Sequence, residues 1–277
     1  MFDKNDMPEV HELLVEGLRR EVKMKAGFDK VILGLSGGID SAVVAALAVD
    51  AFGCDNVNVL SMPSRHSSGH SVTDAATLIN TLNITGDHIK INDIHQAFER
   101  CIGNVLKRGS LSYQNIQARI RGTIIMTYCN HHGFFGLATG NLTEAMMGYC
   151  TLYGDTCGGI EVIGDLFKGE VFLLAEYINR DSEVIPRNII DKAPSAELFD
   201  DQEDEKDLFP YPIMDMVLHA MMDADRDIDD IHALTKVNIE TINKIVARVD
   251  KNKFKALQCP PSIPIREEVY RRMEDRQ

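Results

Sequence analysis

The chain predicts an α/β fold: a parallel sheet with helices on both faces, and additional helices toward the C-terminal end. Short apolar runs of strand length alternate with longer segments of helical period, the order that builds parallel sheets. The run Val31-Ile32-Leu33 is apolar at consecutive positions, as a strand covered on both faces must be. It stops at Ser36-Gly37-Gly38, turns polar at Asp40-Ser41, and resumes at helix spacing through Val43, Val44, Ala46, Leu47 and Ala48.

In chain order, Val10, Leu13, Leu14, Leu18 and Val22 fall at helix spacing in a stretch that is charged throughout. They predict an amphipathic helix, neither a signal peptide nor a membrane anchor. After the first strand and helix, residues 57–62 predict a strand, 70–84 a helix and 87–93 a short strand. Residues 91–106 and 113–133 read as two helices, the second stopped by Gly133. Residues 134–144 predict a strand that delivers Thr139 to Glu144 to the sheet edge where Ser36 and Ser64 also emerge, the usual ligand edge of such sheets. A helix begins near Lys168, and residues 212–224 and 238–250 close the chain as helices. Between them, residues 197–207 hold seven acids and one lysine, too polar for a core. A solvated loop and a lid over a site are both open.

A length of 277 residues is enough for one or two full cores, and it is read here as a single domain over 1–277. The net charge of −13 argues against a broad nucleic-acid surface, which needs clustered Lys and Arg. Six scattered cysteines without a Cys-x-x-Cys pair read as reduced thiols. No apolar run approaches the ~20 residues that span a bilayer, so the expected compartment is the cytoplasm.

The turn after the first strand carries chemistry. A helix N-terminus leaves unpaired amides and a partial positive charge, and adjacent glycines let a phosphate approach the backbone. A Walker loop is excluded because no Gly-Lys-Ser/Thr follows, and Gly34-Leu35-Ser36-Gly37-Gly38 does not supply the three-glycine dinucleotide fingerprint. Asp40 stands there instead. A carboxylate beside phosphates repels them unless a divalent cation lies between, so the loop implies magnesium together with a nucleotide.

The segment Leu35-Ser36-Gly37-Gly38-Ile39-Asp40-Ser41-Ala42 resembles the PP-loop of the ATP pyrophosphatases, which transfer AMP from ATP to a substrate oxygen. Residues 137–155, 164–175, 192–208 and 251–261 are similar to ammonia-dependent NAD synthetase and to the synthetase domain of its glutamine-dependent relatives, over nearly the whole chain in order. The resemblance implies an adenine nucleotide alpha hydrolase-like fold and a ligase that adenylates deamido-NAD and lets ammonia displace AMP. It implies ATP as co-substrate and Mg2+.

By that resemblance Gly34, Leu35, Ser36, Gly37, Gly38, Ile39, Asp40 and Ser41 bind ATP with Thr139, Lys168 and Ser195, while Asp40 and Glu144 hold magnesium. Asp40, Lys168 and Ser195 are then the residues at the reacting groups. Arg119 and Lys255 fall at deamido-NAD positions, Arg121 is open to a structural reading, and Tyr113 is a candidate stacking partner. A homodimer and a mobile lid at about 196–212 are implied as well.

Leu152 and Gly159 depart from the ammonia-dependent pattern, and Ala256 stands where a basic residue is frequent. Residues 151–168 look more like the glutamine-dependent branch. The length is taken up by the synthetase, so the expectation is free ammonia, or a separate glutaminase partner that supplies it. Two alternatives stand beside this: another PP-loop amidating or thiolating ligase, and a non-catalytic nucleotide sensor, which the presence of both Asp40 and Glu144 disfavours.

Overall fold

Five parallel strands, β1 (Val31–Gly34), β2 (Val57–Ser61), β3 (Thr85–His88), β4 (Phe135–Asn141) and β5 (Ile160–Ile163), form one sheet in the order β3-β2-β1-β4-β5. The structure is a computed structural model and describes residues 1–199, 202, 204, 208–223 and 225–274. Among the described residues its α-helices are α1 (Met7–Leu18), α2 (Ile39–Phe52), α3 (Gly69–Leu82), α4 (Asn92–Ile102), α5 (Leu111–His132), α6 (Leu142–Met147), α7 (Lys168–Ile178), α8 (Arg187–Asp191), α9 (Tyr211–Met221), α10 (Ile228–Thr235), α11 (Ile239–Ala256) and α12 (Arg266–Glu274).

The pleat sorts the central strands between two cores. Val31 and Leu33 of β1, with Val57 and Val59 of β2, pack with α1, α2 and α7, whereas Ile32 and Leu60 point the other way to Ile120, Ile125 and Cys129 of α5. Both faces are covered, which is why these strands lack polar alternation. Burying each such side chain contributes roughly 1.5–3 kcal/mol. A third cluster, built on Phe167, Met214, Val217, Leu218, Ile231, Ile242 and Ile245, joins α9, α10 and α11 beside the sheet's carboxyl edge.

The expected α/β layering is present, three local expectations are corrected and one strand is added. The helix expected over 70–84 ends at Leu82, because Asn83 takes a left-handed φ of 52°. The strand expected at 87–93 is β3, two residues earlier, an exposed edge strand of Thr, Gly, Asp and His with no apolar run to announce it. The strand expected over 134–144 stops at Asn141, whose side chain accepts from the Glu144 amide and starts α6. β5 was not expected; its four residues are too short for a periodic signal. Of the proposed lid, residues 200, 201, 203 and 205–207 lie outside the described residues.

Candidate active site

Strand order reverses beside β1: β2 and β3 extend the sheet to one side, β4 and β5 to the other. Segments leaving β1 and β4 therefore part and open a crevice at the carboxyl edge. A cavity of about 280 Å3 lies there.

Gly34, Leu35, Ser36, Gly38, Ile39, Asp40 and Ser41 line it. Gly37 does not; it makes the turn at φ 81°, and a side chain there would run into the Ser71 carbonyl. The two serines fasten the loop, since the Ser36 amide donates to Ser41 Oγ at 3.2 Å, the Gly38 amide to Ser36 Oγ at 3.1 Å, and Ser41 Oγ to the Gly38 carbonyl at 3.0 Å. No side chain caps α2 at Gly38, so its first-turn amides are left for an anion.

Three distant segments meet at Lys168. Its ammonium donates to Asp40 Oδ2 at 2.5 Å and to Glu144 Oε1 at 3.2 Å, and it lies 5.2 Å from the centroid of the Tyr211 ring. Asn141 Nδ2 donates to the other Asp40 oxygen at 2.9 Å. Thr143 Oγ1 accepts from the Lys168 amide at 2.9 Å and donates to Asp215, which also accepts from the Gly169 amide, so the start of α7 is locked to α6 and α9. Asp204 accepts from the hydroxyls of Tyr149 and Tyr211, each at 3.0 Å.

One ammonium thus faces the carboxylates of Asp40, Glu144 and Asp204. Burial pushes the Glu144 carboxyl up to about 8, with Asp40 and Asp204 adding to the shift and Lys168 opposing it. Burial also raises Asp204. Burial works against the charge on Lys168, but Asp40 and Glu144 outweigh it and hold the amine above its ordinary range. Negative charge in excess of positive, in a buried wall made of hard oxygen donors, is the setting a divalent cation neutralises. Among the described residues no three His, Cys, Asp or Glu side chains converge to hold an ion alone. Asp40 and Glu144 fit a magnesium site completed by phosphate oxygens and water, the usual arrangement for that ion.

Thr139 and Ser195 also line the cavity. Ser195 lies on a segment whose residues 193–198 line the cavity: Ser195 Oγ donates to the Gln202 carbonyl at 2.5 Å, and Gln117 Nε2 of α5 donates to the Leu198 carbonyl at 2.8 Å. Glu197 fastens the same segment to α3, accepting from Ser68 N, Ser68 Oγ and Ser71 Oγ at 3.1, 2.9 and 2.5 Å, with Lys192 Nζ at 3.4 Å.

Arg119 and Lys255 are not on the cavity wall. Arg119 Nε donates to the Leu152 carbonyl at 3.2 Å, and Lys255 Nζ to the carbonyls of Gly148 and Cys150 at 2.8 and 2.9 Å. Both grip the loop between α6 and β5, whose Gly154 and Asp155 do reach the cavity. Tyr113 is no stacking platform: it is buried against His66 and His95, its hydroxyl 3.2 Å from His66 Nε2. Arg121, open to a structural reading in sequence, lines the cavity, as do Lys192 and Glu197. No residue-type pattern marks the last two; only the approach of α3 to the 193–199 segment brings them in.

A family model described as NAD synthase matches residues 10–259. The chain is 38% identical over 267 residues to a glutamine-dependent NAD(+) synthetase of Synechocystis, covering 96% of this chain and 48% of that protein. It thus spans about half the length of the curated relatives it matches. Among solved structures it superposes with TM-score 0.77 and 29% identity on an NMN synthetase from Francisella tularensis, covering 92% of this chain and 97% of that one. An NH3-dependent NAD synthetase from Campylobacter jejuni follows at TM-score 0.72 and 29% identity, with 92% and 96% covered. The described residues include no helix long and apolar enough to cross a membrane.

Proposed function

The chain belongs to the NAD synthase family, and from that membership we propose that it adenylates the nicotinate carboxylate of deamido-NAD with ATP and lets ammonia displace AMP, giving NAD, AMP and pyrophosphate. The observation that carries this reading is the meeting of Lys168 with Asp40 and Glu144 beside an uncapped glycine loop, a cation and a hard-donor pair at one anion cradle.

In this reading the amides of the 34–41 loop bind the departing pyrophosphate, and Lys168 moves from its carboxylates toward the phosphates as their charge builds. Asp40 and Glu144 would hold magnesium, which would supply electrostatic stabilisation of that charge. A carboxylate resists ammonia because oxide is a poor leaving group; as a mixed anhydride it releases AMP. The carboxylate oxygen forms a bond to the α-phosphorus as pyrophosphate leaves, then the ammonia nitrogen attacks the acyl carbon and loses a proton as AMP departs. Ser195 and its neighbours over the mouth keep water from the anhydride. Arg119 and Lys255 hold the loop against which deamido-NAD binds. The same reading carries one catalytic domain over 1–277, a lid at about 196–212, a homodimer and a cytoplasmic location.

Free ammonia is the proposed nitrogen source, supported by the Campylobacter neighbour, matched over 96% of its length. The Francisella neighbour favours a second reading in which the mononucleotide is the product. Both are tested by chromatography of purified protein with ATP, magnesium and either deamido-NAD or nicotinate mononucleotide, with ammonium or glutamine. NAD and AMP formed with ammonium alone support the first reading. Amidation of the mononucleotide in preference supports the second, glutamine use overturns the nitrogen assignment, and neither product overturns the reaction.

A further inference from the structure

Ala118, Arg121 and Ile125 share one face of α5, at spacings of three and seven residues, and all three line the cavity. At about 100° per residue, Arg119 points roughly 200° away from Arg121, which is why it grips the Leu152 carbonyl while Arg121 reaches the cavity. The Arg121 guanidinium is fixed through Nε, which donates to the Met62 carbonyl at 2.9 Å, just beyond the carboxyl end of β2. That bond occupies one edge of the fork, and among the described residues the two Nη groups have no hydrogen-bond partner.

Among the described residues no carboxylate comes within ion-pair distance of it. Glu197 and Asp155, both on the cavity wall, act on it only at longer range, and burial lowers its affinity for its proton. A partly buried guanidinium that is oriented but has no acidic partner is costly, and a bound anion removes that cost. Asp40, Glu144 and Asp204 are each already tied to Lys168, Tyr149, Tyr211 or Asn141, so the cavity's own acids do not compete for it.

We propose that Arg121 is an anion-binding residue of this cavity, whose free Nη groups grip an oxyanion of the reactants: the α-phosphoryl group of the nucleotide or the carboxylate it adenylates. The proposal rests on the reaction assigned above, in which these two groups must lie side by side. A guanidinium fork matches either, bidentately.

Isothermal titration of the wild-type protein and of Arg121→Met, which keeps the apolar stem, tests it with two ligand pairs. AMP and adenosine differ by the phosphate; deamido-NAD and NAD differ by carboxylate against amide. Arg121→Met is expected to weaken the charged member of at least one pair roughly ten- to hundred-fold and leave its neutral partner within about two-fold. Loss confined to AMP identifies the phosphoryl group, and loss confined to deamido-NAD the carboxylate. Arg121→Lys, which keeps the charge without the fork, is expected to recover part of the loss and covers the case in which the Met variant does not fold. Equal weakening of all four ligands, or none, overturns the proposal in favour of a packing role. If wild-type protein binds neither AMP nor deamido-NAD, the assigned reaction itself falls, and the proposal with it.

Discussion

Lys168 Nζ lies 2.5 Å from Asp40 Oδ2, joining the first turn of α7 to the first turn of α2 across 128 residues of chain. The pair is nearly closed to solvent on the lysine side, which is 2% exposed, and the same ammonium also reaches Glu144 Oε1 at 3.2 Å. Through Lys168 the start of α2 is tied to α7 and to Glu144 of α6, so a change at any one of the three is felt at the others.

Asp40→Asn keeps the size of the side chain and its bond with Asn141 while removing the charge a magnesium ion needs. Turnover with ammonium is expected to fall at least a hundred-fold, with circular dichroism unchanged. Near-normal turnover at saturating magnesium would remove Asp40 from the metal site.

Lys168→Met leaves Asp40, Glu144 and Asp204 facing one another without their cation. Breaking one partner of a buried ion pair costs about 3–5 kcal/mol, and the site can recover part of that by protonating Glu144 or binding a divalent cation. Denaturant titrations should therefore show a loss of about that size in chelator, smaller in millimolar magnesium. Equal losses in both media would mean that magnesium does not bind among these carboxylates.

Glu197→Ala removes the carboxylate that fastens segment 193–199 to Ser68 and Ser71. Amides of this segment should exchange hydrogen faster, and water should reach the acyl adenylate. AMP should then form in excess of NAD, whereas wild-type protein should make them one to one. A preserved ratio together with faster exchange would show that the segment does not guard the intermediate.

Glu161 of β5 is buried, and that burial raises its carboxyl to about 8, Cys259, Glu144 and Asp155 adding to it. A carboxyl raised in the folded state binds its proton more tightly there than in the unfolded chain, where it titrates near 4.5. Its contribution to stability is therefore whole below pH 4.5, declines by at most roughly 1.4 kcal/mol per pH unit as pH rises toward 8, and is level above that. Glu161→Gln should flatten this decline, read as midpoints of urea unfolding between pH 5 and 9. Parallel curves for the two proteins would show that Glu161 ionises normally in the fold.

The sequence by itself determined the parallel α/β layering, the glycine turn after β1 and the residue types proposed for phosphate and metal. These rest on local rules: consecutive apolar residues for doubly covered strands, adjacent glycines for a tight turn, an acid where a cation must sit. The tertiary structure decided the rest. β3 and β5 draw their form from pairing with β2 and β4, since four residues of mixed polarity carry no period of their own. Arg119 and Arg121 are the same residue type two positions apart, and only the docking of α5 on the sheet turns one to the loop after α6 and the other to the cavity. Lys168, Asp40 and Glu144 were each readable as candidates. Their convergence depends on the reversal of strand order beside β1, a long-range contact that no local pattern encodes.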